Sequence, residues 1–100
     1  MSLVSNTTGR LERRTARTIA VELCGEPPLN ERTFTENVSP RGARVVTGRE
    51  WQPGARVVLI CPEDNVWLEA EIVYCQRLAK NRFAIGLELS ARVEQWAKPR

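Results

Sequence analysis

In the stretch RLERRTAR, Arg10–Arg17, four arginines share eight positions with a single acid, Glu12. Twenty residues after Arg17 comes NVSPRG, Asn37–Gly42. Arginine carries a planar fork of donors that grips phosphate at two points and stacks on flat rings. Arg13 and Arg17 stand four apart with Arg14 between them. On an extended backbone they lie at most about 13 Å apart, at ~3.3 Å per residue; a turn brings them close enough for two forks to meet one anion-rich ligand. Asn37 and Ser39 are two apart, so a strand places both short polar side chains on one face. Gly42 can take a positive φ, and it keeps the following backbone open enough for a planar group to approach. If the arm folds back over that strand, phosphates meet arginine and base edges meet Asn37 and Ser39. Taken singly, the first phrase also fits a solvated leader and the second an ordinary turn. Only the combination is specific.

Other chemistries lack their residues. The chain contains no histidine, which removes the usual zinc sites, the Cys–His and Ser–His nucleophile pairs and the commonest general base. Cys24, Cys61 and Cys75 are odd in number, share no C-x-x-C spacing and lie in apolar runs; they read as small buried hydrophobes in a reducing compartment. Glu63, Asp64, Glu69 and Glu71 read as a turn and a solvated strand face. No catalytic residue, metal or cofactor is expected. The net charge of +3 is unevenly placed, with +3 in residues 10–17 and −4 in residues 63–71. Thirteen arginines against two lysines lean toward anion recognition, although genomic base composition produces the same bias.

These residues need elements to position them. One hundred residues, 42% hydrophobic and 27% charged, support a single globular core. No apolar run approaches the ~20 residues of a membrane span, and the opening MSLVSNTTG lacks the apolar stretch of a secretory signal. A cytoplasmic protein without membrane insertion is therefore expected. Residues 1–16 read as a flexible arm and 17–100 as one domain. Thr18–Leu23 alternates and predicts a half-buried strand. CGEPPLNER reads as a connection, TFTENV as a short strand, SPRG as a turn and ARVVT as the next strand. ARVVLIC, residues 55–61, predicts a strand buried on both faces. After a turn at PEDN, Val66, Leu68, Ala70, Ile72 and Tyr74 are expected on one face, with Trp67, Glu69, Glu71, Val73 and Cys75 on the other. Phe83, Ile85, Leu87 and Leu89 repeat the pattern. Six strands with antiparallel connections predict an all-β, six-stranded antiparallel barrel. Ser90 is expected to cap a short C-terminal helix over ARVEQWAK that plugs one barrel end with Trp96. Trp51 and Trp67 read as core or rim residues.

The two phrases in this setting resemble the PilZ domain, the bacterial receptor for cyclic di-GMP. Its R-x-x-x-R signature is matched by Arg13–Arg17 and its [D/N]-x-S-x-x-G signature by Asn37–Gly42. FAIGLEL, residues 83–89, is similar to the family's glycine-bearing late strand, through Gly86. The resemblance spans residues 11–97. It implies a six-stranded barrel with a C-terminal helix, Arg13 and Arg17 on phosphate and guanine, and Asn37, Ser39 and Gly42 holding the base and the turn. Arg14, Arg41 and Gly86 are secondary candidates. It also implies that Glu12, just before the motif, influences whether one ligand or a stacked pair binds. The expected function is cyclic di-GMP sensing, in which ligand orders the arm and changes the surface shown to a downstream protein. Two alternatives remain at this point: an adaptor that has lost its ligand and only docks a partner, and a small-barrel nucleic-acid binder. Scarce exposed aromatics argue against nucleic acid.

Overall fold

The computed structural model describes residues 14–26 and 29–97. It contains seven strands: β1 (Thr15–Ala16), β2 (Ala20–Cys24), β3 (Asn30–Ser39), β4 (Gly42–Thr47), β5 (Arg56–Cys61), β6 (Val66–Ala79) and β7 (Arg82–Leu89). All pairings are antiparallel, in the order β1-β3-β2-β5-β6-β7-β4, and β4 pairs back onto β3. Six strands thus close a barrel in the circuit β3-β2-β5-β6-β7-β4, as the alternating pattern predicts. The two residues of β1 occupy the same edge of β3 as β2. They sit opposite Val38 and Asn37, while β2 sits opposite Phe34 to Asn30.

Alternation decides what fills the barrel. Val21 and Leu23, Val57, Leu59 and Cys61, Ala70 and Ile72, and Ile85, Leu87 and Leu89 point inward and are buried. In β5 the expectation of two buried faces does not hold. Val58 and Ile60 are only half-buried, because a barrel strand has an outer face that no second layer covers. Ile60 pairs there with Trp67, which is 76% exposed, whereas Trp51 and Trp96 are buried at 4% and 0%. The connection expected at residues 24–32 is shorter than the sequence suggests, since β3 begins at Asn30.

Two turns carry their own signatures. In the Gln52–Ala55 turn Gly54 follows Pro53 with φ 92, and the Ala55 N–H donates to the Gln52 carbonyl at 3.1 Å, the pattern of a type II turn. After β5, a 3-10 turn at Pro62–Asp64 is stopped by Asn65 in the left-handed region. Asparagine tolerates that conformation better than most residues.

The C-terminal helix is reduced to a 3-10 turn, Glu94–Trp96. Its N-cap is Val93, in extended conformation and without a side-chain cap, and not Ser90. Opening a helix fixes several residues for one hydrogen bond, and here the backbone has better uses. The Ser90 N–H donates to Glu69 and the Val93 N–H to the Pro40 carbonyl, at 2.9 and 2.8 Å. Trp96 nevertheless plugs the barrel as expected, fully buried. Among the described residues, no helix is long and apolar enough to cross a membrane.

Candidate functional site

The arm reaches the barrel through a break between β1 and β2 at residues 17–19. Buried Thr35 closes that break. Its hydroxyl accepts the Ile19 N–H at 3.0 Å and donates to the Arg17 carbonyl at 2.6 Å. Its own N–H donates to the Ile19 carbonyl, and the Arg17 N–H donates to Glu36. Arg14 and Arg17 are three apart, so a near-extended arm sends them to different sides. Arg14 lies on the outer surface, where Nη1 donates to Asn37 Oδ1 at 2.5 Å. Arg17 turns toward the barrel end, where Nη2 stands 3.4 Å from Asp64 Oδ2.

Arg14, Asn37, Ser39 and Gly42 therefore form one group around the β3–β4 hairpin. Ser39 pairs with Gly42 across the hairpin and is largely buried. Gly42 does not use the positive φ open to it; among the described glycines that conformation belongs to Gly54. Glycine is needed at 42 for proximity: a Cβ there would stand 3.0 Å from the Leu87 carbonyl, 3.5 Å from Ser39 Oγ and 3.8 Å from Arg14 Nη2. Arg41, at the exposed hairpin tip, accepts the Leu89 N–H through its carbonyl at 2.9 Å. Arg13, like Glu12, lies outside the described residues.

Next to this group is a second one that sequence reasoning missed. Arg44 pairs with Asn37 on one side and Gly86 on the other. Its Nε donates to Glu36 Oε1 at 2.7 Å, Nη1 to the Tyr74 hydroxyl at 3.0 Å and Nη2 to Gln76 at 3.4 Å. Bonds to Glu36 first and Tyr74 second push the Arg44 pKa further up, so its charge is permanent. The Tyr74 ring covers Gly86: a Cβ at 86 would fall 2.1 Å from ring atom Cε2.

Why Tyr74 is here was not visible in the alternation, which placed it on the face of Ile72. The register of β6 against β7 shifts between Ile72 and Tyr74, so Val73 is an inserted residue. One insertion exchanges the faces of everything that follows. Tyr74 moves outward and Cys75 packs against the core. A comparable bulge between Thr35 and Asn37 in β3 leaves Glu36 free to reach Arg44. The spacing of Asn37, Arg44 and Gly86 was the available signal, but it required the register of three strands.

The resulting surface is a strand face and not a cavity. It presents the Arg14 guanidinium, the Arg44 guanidinium already paired with Glu36, an asparagine side chain with donor and acceptor atoms, and a flat phenol ring. Such a surface suits an extended anionic ligand with planar groups. Two grooves lie elsewhere: one of ≈ 370 Å³ beside Ala20, Phe34 and Pro62, and one of ≈ 400 Å³ beside Leu29 and Trp51. No group of three or more acidic, cysteine or histidine side chains that could hold a metal occurs among the described residues. Burial raises the thiol pKa of Cys61, and of Cys24, so neither is an activated nucleophile.

The chain is thus a closed antiparallel barrel with an arginine-bearing arm paired onto the strand before a polar hairpin. The sequence profile of the PilZ domain matches residues 9–98, and the chain belongs to that family. Among solved structures, that of the Bacillus subtilis inhibitor of motility, MotI/DgrA, is similar with a TM-score of 0.70 and 24% identity. The match covers 88% of this chain and 47% of that one, so the chain spans about half the length of that protein; the likeness is one of fold. No curated protein matches the sequence.

Proposed function

We propose that this domain is a receptor for cyclic di-GMP, which it binds on the outer face around Asn37, and that the bound state is read by a downstream protein. The observation that carries the reading is the convergence of Arg14, Asn37, Ser39 and Gly42 at the β3–β4 hairpin, with Arg14 Nη1 2.5 Å from Asn37 Oδ1, in a chain that belongs to the PilZ family. A cyclic dinucleotide has two phosphates and two guanine rings. Arg13 and Arg17 take phosphate and a guanine edge, and Asn37 and Ser39 take the other guanine edges. Gly42 keeps the hairpin close to β7. Arg44 and Tyr74 offer a cation and a flat ring beside them, so Arg44, Tyr74, Arg14 and Gly86 extend the site.

Hydrogen bonds to charged groups contribute about 1.5–3 kcal/mol each. Two arginines thus supply much of the ~8 kcal/mol of a micromolar complex, and base contacts and stacking add the remainder against the cost of ordering the arm. Calorimetric titration of cyclic di-GMP should give micromolar binding with the intact chain and no heat with GTP. Arg13→Ala, Arg17→Ala and Asn37→Ala should each weaken it by tenfold or more, about 1.4 kcal/mol. Full affinity in all three variants would move the ligand to another surface. No binding by the intact chain would leave a domain that acts only by docking a protein.

A further inference from the structure

We infer that Asp64 competes with the ligand for Arg17, and that capture of Arg17 by the ligand is felt at the C-terminal turn through Trp96. This rests on the proposed role of Arg17 as a ligand residue. Three contacts meet at Asp64. Its Oδ2 stands 3.4 Å from Arg17 Nη2 and accepts the Trp96 indole N–H at 2.6 Å. Its backbone carbonyl accepts the Gln95 amide at 2.8 Å. The Arg17 and Asp64 side chains are only 12% and 14% exposed, and Trp96 is fully buried. One carboxylate oxygen thus joins the arm before β2, the turn after β5 and the end of the chain.

The two sides of this contact differ in freedom. Asp64 ends a 3-10 turn that Pro62 opens and left-handed Asn65 closes, with the Asn65 N–H donating to the Pro62 carbonyl at 3.1 Å. Arg17 sits in the gap between β1 and β2, outside both ladders. Movement therefore belongs to the Arg17 side chain, since Glu36 and Thr35 hold its backbone. Arg17 now points away from the Asn37 face on which Arg14 lies, so both arginines can reach one ligand on that face only once Arg17 leaves Asp64. The existing pair is a single contact at the long end of the ion-pair range. A phosphate that accepts two parallel donors from the guanidinium replaces it favourably. When Arg17 leaves, Asp64 keeps Trp96 but loses the cation beside that hydrogen bond, so the indole N–H reports the change. Asp64 is on this account a positioning residue, which withholds Arg17 until a better anion arrives.

The test uses the 100-residue chain, Asp64→Asn and Arg17→Ala, with cyclic di-GMP titrated by calorimetry and the Trp96 indole N–H resonance followed in parallel. Asp64→Asn keeps an oxygen for the indole and removes the competing charge. It should bind tighter than the parent by up to about fivefold, the range of a single ion pair. The Trp96 resonance of the parent should move on saturation, and Arg17→Ala should show that shift without ligand. If Asp64 merely braces the fold, Asp64→Asn will bind equally or more weakly and the Trp96 resonance will not follow occupancy; that result overturns the inference while leaving the ligand reading intact. Binding by Asp64→Asn alone supports it, as complete withholding of Arg17. Failure of parent and variant alike removes both readings. Should Asp64→Asn not fold, the Trp96 shift in the parent and in Arg17→Ala decides the matter.

Discussion

Gly86 shows how much one missing side chain can organise. The ring of Tyr74 lies where a Cβ would stand, at 2.1 Å, and the Tyr74 hydroxyl accepts from Arg44 at 3.0 Å. Arg44 also lies 5.9 Å from the centroid of that ring, a cation–π distance. Gly86→Ala must lift the ring and break this arrangement, and crowding of this kind costs about 1–3 kcal/mol. Urea denaturation should register that loss, and calorimetry should show weaker cyclic di-GMP binding. A variant of unchanged stability would mean that Tyr74 moves aside without cost. Cysteine offers a separate prediction. Burial raises the Cys61 and Cys24 thiols above their ordinary 9.0. The folded chain then holds these protons more tightly than the unfolded one. Stability from this source is complete below pH 9.0 and falls as pH rises through the folded pKa values. Denaturation midpoints should therefore decline above pH 9, and Cys61→Ser and Cys24→Ser should together flatten that decline.

At the level of elements, the arm is joined to the barrel by a side chain. Regular β pairing stops at Arg17 and resumes at Ala20, and the polar backbone groups left between need partners. Thr35 supplies two with one hydroxyl. Thr35→Val keeps the shape but leaves a donor and an acceptor without their partner, at a cost of about 1–3 kcal/mol. Hydrogen exchange should quicken at Ile19 and Arg17 before it does in β5 or β7. Uniform acceleration across the barrel would instead assign Thr35 to the global core. A similar economy ties down the loop after β4, where Glu31 accepts from the Gly48 N–H at 2.6 Å and the Trp51 indole at 3.0 Å.

Across the whole molecule, one end of the barrel gathers segments distant in sequence. The hairpin at Pro40–Arg41 accepts from Val93 and Leu89, and Asp64 accepts from Trp96 and faces Arg17. Trp96→Ala should cost about 3–5 kcal/mol, the range for a buried tryptophan, read as a lower denaturation midpoint. Exchange at the Leu89 and Val93 amides should accelerate with it. A loss below 1 kcal/mol would mean that the end of the chain is not part of the cooperative unit. Most strands were legible in the order of residues, because period-two burial is a local property: Val21 with Leu23, Ala70 with Ile72 and Ile85 with Leu87 state their faces unaided. That the arm meets the asparagine phrase was legible too, although the contact is made by Arg14, and so was the burial of Trp96. Local pattern failed at Val73, where one inserted residue turned Tyr74 outward, and at the C-terminus, where Val93 found a partner in Pro40 and no α-helix formed. It could not show that Gly42 serves proximity to Leu87 in place of a positive φ. Nor could it show that Arg44, Tyr74 and Gly86 meet, or that Asp64 waits beside Arg17. Register and closure decide those contacts, for they arise between strands dozens of residues apart whose relative positions are set only when the barrel closes around one shared core.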